Sequence, residues 1–304
     1  MSNVKIHFAG AEQIPTWLVA KKITGVSYGL LTAYVFICQS LGLKSQLYFN
    51  KEINYQLHDS CRILTKYLNH CILDSGLFTL MFGAHGGKKS ASDIETWFES
   101  LCEFISSNVP EQKISCVEVD CQKVLSPEAA WYYRKKMRAL LPHHDIINVW
   151  HLEDGLEGFY RLIDFTNYIA ISIPELRLNI KPSLLPSLVL KLCRIIHKRK
   201  PGLRIHLLGC TEKRLLLPVN HLVYSSDSTS WLSPVRFKKK TAIHKGIYNF
   251  RHQENTLEPI IRRVCAPEID ASKQTNGYFL TSAKWTLSMQ LALNEYRATY
   301  GSQE

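Results

Sequence analysis

The chain has no CxxC pair among its nine cysteines, no GxGxxG after its first predicted strand, and no apolar run long enough to cross a bilayer. Each absence excludes something. Scattered thiols in odd number, with no secretory signal ahead of them, argue against a disulfide framework and for reduced cysteines in a cytoplasm. Cys116 and Cys121, at a predicted strand and the turn after it, read as buried structural thiols rather than zinc ligands. The longest apolar stretch, Gly29 to Leu43, contains Thr32, Gln39 and Ser40 and falls short of the roughly 20 residues of a membrane helix, so no membrane partner is expected. Acidic residues are also scarce: 26 Asp and Glu against 37 Lys and Arg leave a net charge of +11, which biases the surface towards polyanions such as nucleic acid.

What is present is an ordinary globular composition, 46% hydrophobic and 21% charged over 304 residues, enough for a sizeable core in one large domain or two small ones. Strand patterns at Val4–Ala9, Val26–Leu31, in CILDSG, and at Ile114–Asp120, Ile147–His151, Tyr168–Ile173, Arg204–Gly209 and in HLVYSSD alternate with helical ones. The amphipathic run over 92–107 and the helix started by Ser126 and Pro127 are the clearest of the latter. Alternation argues for a parallel sheet, and about eight units argue for closure into an α/β (β/α)8 barrel. An open doubly wound sheet is the alternative, and it lacks its glycine fingerprint. The reading places the barrel at 1–240 and a C-terminal extension packed on it at 241–304.

Catalytic groups of such a barrel sit at the C-terminal strand ends. Those ends carry Asp74 in ILDSGLF, Asp120 in CVEVD, His151, Ser172, Gly209 and Asp227 in YSSDSTSW. An isolated Asp-Ser pair is most simply a cap for orphan backbone donors; three carboxylates in similar settings favour chemistry. Two carboxylates at one mouth can split displacement at an anomeric carbon into two steps, one acting as nucleophile and one moving protons. The hydroxyls of Ser226, Ser228 and Thr229 are placed to hold Asp227 in one rotamer. His151 is either a substrate ligand or a satisfied polar group, and Trp231 either stacks on a base or packs beneath its loop. The basic run His197–Lys200 reads as a solvated face. The second run, with Arg236, Lys238, Lys239 and Lys240, follows the candidate site closely and reads as a phosphate grip. Trp131, Tyr132 and Tyr133 read as helix packing rather than a base-stacking shelf. No cofactor or metal is called for.

The motifs ILDSGLFT, VEVDCQ, INVWHLEDG, YIAIS, RIHLLGCT and YSSDSTSW, with FAGAE and VSYGLL near the start, resemble the tRNA-guanine transglycosylase superfamily. They are most similar to its short branch that inserts 7-deazaguanines into DNA in phages and bacteria. The resemblance covers roughly residues 4 to 237. It implies a barrel enzyme that exchanges guanine for a 7-deazaguanine, such as the 7-cyano form, through a covalent intermediate. Asp227 would be the nucleophile on C1′ and Asp74 the general acid or base. Asp120 would accept hydrogen bonds from the heterocycle edge, and Ser75, Gly76, His151, Ser172 and Gly209 would lie around the base. It further implies DNA as partner, accessory proteins of a DNA-modification system, and a bacterial or phage-infected cytoplasm.

The chain departs from the tRNA enzymes in two places. It has only Cys265 where they carry a CxCxxC…H zinc site, which points away from a zinc subdomain and from tRNA. It has Ile171 and Ser172 where they have paired glycines. A duplex base would have to be flipped, or presented single-stranded, to reach such a pocket. The competing readings are a tRNA enzyme of the same chemistry and a catalytically silent nucleic-acid-binding protein. A sugar glycosidase is disfavoured by the few aromatics at the mouth.

Overall fold

The computed structural model describes residues 4–41, 59–82, 89–233, 235, 259–261 and 276–304. Eight parallel strands close into a barrel in chain order: β1 (Lys5–Ala9), β2 (Tyr28–Thr32), β3 (His70–Asp74), β4 (Ile114–Val117), β5 (Asp145–Trp150), β6 (Tyr168–Ser172), β7 (Arg204–Leu208) and β8 (Ser225–Ser228). Closure is made by β8 against β1, with Lys5 opposite Ser225 and His7 opposite Asp227. Helices α1 (Ile14–Thr24), α2 (Tyr34–Ser40), α3 (Ser60–Tyr67), α4 (Leu77–Phe82), α5 (Ala91–Asn108), α6 (Pro127–Leu140), α7 (Gly155–Phe165), α8 (Ile173–Asn179), α9 (Leu185–Arg199) and α10 (Lys213–Leu216) connect them. The fold is therefore a (β/α)8 barrel of the TIM type. Among the described residues no helix is long and apolar enough to cross a membrane.

Side chains alternate across each strand. Outward residues such as Ile6, Phe8, Leu73, Cys116, Ile169, Ile171, Ile205 and Leu207 pack against the helices. Inward residues Leu30, Ile72, Val117, Ile147, Val149 and Ala170 fill the barrel with an apolar plug. Towards the strand starts the filling turns polar. His7 meets His70 at 2.9 Å, His70 meets Ser115 at 2.9 Å, and Arg204 forks onto Asp145, which also accepts from Ser115. Burial holds the His7 imidazole well below its ordinary value and pushes His70 down to about 4, so both are neutral at physiological pH.

Local chemistry accounts for the clearest helices. Ser90 and Asp93 form a reciprocal capping box at the start of α5, and Ser126 accepts from the Ala129 N–H ahead of Pro127 in α6. Trp131 and Tyr133 are buried while Tyr132 is exposed, as helix packing requires, and Cys116 and Cys121 are both buried free thiols.

Several segments differ from the sequence expectation or add to it. β4 stops at Val117 instead of Asp120, because the Val149 N–H on the neighbouring strand is taken by the Glu118 carboxylate, at 2.8 Å, in place of a backbone carbonyl. The apolar residues before β8 are not strand: the N–H groups of Leu222 and Val223 both turn back to the Val219 carbonyl, so the ladder is built from SSDS. The additional helix α8 follows β6 directly, with Pro174 and Glu175 in its first turn, where a missing N–H and a negative charge are both favourable. The extension expected at 241–304 carries a C-terminal helix over Asn276–Tyr300. It packs along α1, with Trp285 edge-on to Trp231 and Thr24 donating to the Met289 sulfur. Gln303 just beyond it accepts from the Ile6 N–H and donates to the Val4 carbonyl, tying the chain end to the start of β1.

Candidate active site

The C-terminal strand ends surround a cavity of about 730 Å³ whose wall includes Asp74, Asp120, His151, Ser172, Glu175 and Asp227. The volume lies within the roughly 300–1,000 Å³ of small-molecule sites.

The DSG turn divides its three residues among three tasks. Asp74 is the last inward residue of β3 and enters the cavity. Ser75 also lines the cavity; it is buried, its hydroxyl accepts from the Leu77 N–H at 3.4 Å, and its carbonyl accepts from the Trp97 indole of α5 at 3.0 Å. Gly76 takes φ +75° and directs its N–H at an Asp74 oxygen, at 3.1 Å. A Cβ there would lie 2.6 Å from the Tyr34 nitrogen, so glycine is required both for the backbone conformation and for the approach of α2. Burial, then the charge of Asp120, then those of Asp227 and Glu12, push the Asp74 carboxyl up to about 7, against the opposing Gly76 hydrogen bond. A carboxyl at that value exchanges its proton readily near neutral pH.

Asp120 arrives by way of a buried anchor. Glu118 is clasped by the Arg134 guanidinium at 2.6–3.1 Å and accepts from Asn148 at 2.5 Å. This holds the segment leaving β4 and leaves Asp120, two residues on, at the mouth. There Asp120 lies 3.0 Å from His151 Nε2, and His151 Nδ1 lies 3.0 Å from Glu175. Burial disfavours a charged imidazole, but the hydrogen bonds to Asp120 and then Glu175 outweigh it and raise His151 to about 10. His151 is accordingly an imidazolium at neutral pH, clamped between two carboxylates. His151 also lines the cavity, beside Asp120 and Glu175.

Asp227 is 8% exposed. One oxygen, Oδ1, accepts from the Gly209 N–H at 2.8 Å and from His206 Nε2 at 3.1 Å. Two of the three hydroxyls expected to hold it are engaged elsewhere. Ser226 points outward and donates to the Leu207 and Cys210 carbonyls, Ser228 accepts from the Ser230 N–H, and Thr229 lines the cavity. A strand's period of two decides this, since the neighbours of an inward residue must face out.

Trp231 is fully buried, its indole N–H on the Ala9 carbonyl at 3.0 Å and its ring edge-on to Phe8 and Trp285. It therefore packs beneath the loop and offers no face to a base. Arg236, Lys238, Lys239 and Lys240 lie outside the described residues.

Sequence reasoning passed over Glu175, Glu118 and His206. The alternation of RIHLL already puts His206 on the same face of β7 as Arg204 and Leu208, which is the signal that would have found it. Among the described residues, His151, Glu153 and Glu175 bring ligand atoms within 4.8 Å of one another, but His151 Nδ1 already faces Glu175 and Glu153 is exposed. Comparison with protein-family models and with curated proteins returns no match for this chain.

Proposed function

We propose that this barrel is a transglycosylase of the tRNA-guanine transglycosylase superfamily that exchanges guanine in DNA for a 7-deazaguanine base, with residues 241–304 as an extension lacking the zinc subdomain. The observation that carries the reading is the pairing of Asp74 and Asp227 on one cavity wall, near enough for their charges to couple, with Asp74 poised at about 7. Two carboxylates in different environments, one hydrogen-bonded through one oxygen and one raised towards neutrality, match a nucleophile paired with a proton carrier.

In the first half-reaction an Asp227 oxygen bonds to the sugar C1′ as the bond from C1′ to the base nitrogen breaks. The electron pair leaves with guanine, which takes a proton from Asp74. In the second, the ionised Asp74 takes the ring N–H hydrogen of the incoming 7-deazaguanine, whose nitrogen attacks C1′ and displaces the Asp227 carboxylate. Asp120, fixed by His151, accepts from the ring N–H and exocyclic amine of the heterocycle. Burial of the site requires a flipped or unpaired base, and the net charge of +11 favours the polyanion that carries it.

The test is incubation of protein, DNA and labelled 7-deazaguanine, followed by digestion to nucleosides and by denaturing gels. The expected result is incorporation together with a covalent protein–DNA adduct, both abolished by Asp227→Ala. No incorporation into DNA or tRNA refutes the enzyme, and incorporation into tRNA alone reassigns the nucleic acid.

A further inference from the structure

A hydrogen-bonded chain runs behind Asp227 into the barrel interior. His206, fully buried on β7, stands between Asp227 Oδ1, 3.1 Å from Nε2, and the Ser225 hydroxyl, 2.6 Å from Nδ1. Ser225 in turn bonds the Tyr168 hydroxyl on β6. An ionised carboxylate only accepts, so the hydrogen between His206 and Asp227 sits on Nε2. In that tautomer Nδ1 accepts from the Ser225 O–H, and the Ser225 oxygen accepts from the Tyr168 O–H. Every group then donates once towards Asp227. Burial pushes the Tyr168 phenol up, which keeps it a donor at the head of the chain.

We infer that His206 is a positioning residue for Asp227: together with the Gly209 N–H it holds Oδ1, so that Oδ2 is the oxygen presented to the reacting carbon, and the chain from Tyr168 through Ser225 sets the His206 tautomer. This rests on Asp227 being the nucleophile. His206 keeps its hydrogen throughout. It forms no bond to substrate, fixes which lone pairs face the sugar, and stabilises the carboxylate when it departs in the second half-reaction. Such a residue acts on turnover and leaves substrate binding alone.

The variants His206→Leu, His206→Gln and Tyr168→Phe test this in the full chain. His206→Leu removes one hydrogen bond to a charged group and is expected to lower kcat for base exchange about tenfold to a hundredfold, with KM within about twofold. His206→Gln keeps a terminal N–H donor and is expected to recover most of the loss. Nitrogen-15 NMR of the imidazole is expected to show the Nε2–H tautomer, with a downfield N–H proton that moves upfield in Asp227→Ala, and a mixed tautomer in Tyr168→Phe. Unchanged kcat in a folded His206→Leu protein overturns the inference, and so does hydrogen found on Nδ1. Should His206→Leu fail to fold, the glutamine and phenylalanine variants decide: wild-type kcat and tautomer in Tyr168→Phe, with no recovery in His206→Gln, overturns it. Should wild-type protein exchange no base at all, the reading of Asp227 as nucleophile fails by itself, and the NMR response to Asp227→Ala still reports whether His206 holds that carboxylate.

Discussion

Replacing Asp74 with asparagine is expected to stabilise the fold while destroying the activity. The carboxyl has an ordinary value of 3.8 and is raised to about 7 by burial and by the charges of Asp120, Asp227 and Glu12. At 1.36 kcal/mol per tenfold, that gap is at most about 4 kcal/mol of native-state stability withheld when Asp74 ionises, less what water in the cavity screens. The sign is fixed by proton linkage. The folded value lies above the unfolded one, so between about pH 4 and about pH 7 the native state binds the extra proton and stability falls as pH rises. Asparagine keeps an acceptor for the Gly76 N–H and carries no charge to bury, so its stability lacks this slope. Urea unfolding followed by tryptophan fluorescence, from about pH 5 to about pH 9, is expected to show the variant gaining on wild type with rising pH and leading by a few kcal/mol above about pH 8. The same variant is expected to lose at least about a hundredfold in base exchange, the usual contribution of a positioned proton carrier. A difference between the two proteins that is constant across pH, or a wild type more stable than the variant at about pH 8, refutes the assignment of a raised Asp74.

Arg134→Met leaves Glu118 as an uncompensated buried charge beside Asn148 and the Val149 N–H; a loss of about 3–5 kcal/mol in chemical denaturation is expected, and a loss below about 1 kcal/mol would mean that the pair anchors nothing. Gly76→Ala forces a Cβ to 2.6 Å from the Tyr34 nitrogen at φ +75°, so a destabilisation of at least about 1–3 kcal/mol is expected, together with loss of exchange as the turn carrying Asp74 shifts. Thermal melts and the incorporation assay check both effects.

Much of the architecture was legible because its signals are local. The apolar runs in CILDSG, Tyr168–Ile173 and Arg204–Gly209, the Ser126–Pro127 start and the polar or glycine residues closing each strand depend only on neighbours a few positions away, and they led to eight βα units with Asp74, Asp120, His151, Ser172 and Asp227 at one end. Where the reading strayed, a contact distant in sequence had intervened. β4 was cut short by a carboxylate that serves β5 and α6 at once. The apolar approach to β8 was diverted into a turn, and Trp231 was covered by the helix over 276–300, which lies far along the chain.

The site divides in the same way. That Asp74 and Asp227 stand at strand ends follows from the sequence alone, since chain order and strand period dictate it in a closed parallel barrel. That Asp74 is raised to about 7, that His151 is an imidazolium held by Asp120 and Glu175, and that Asp227 leans on His206 and Gly209 instead of on its own flanking hydroxyls were decided only by tertiary structure. Burial and charge proximity are properties of space, and closing the barrel brings together carboxylates that are separated by dozens of residues along the chain.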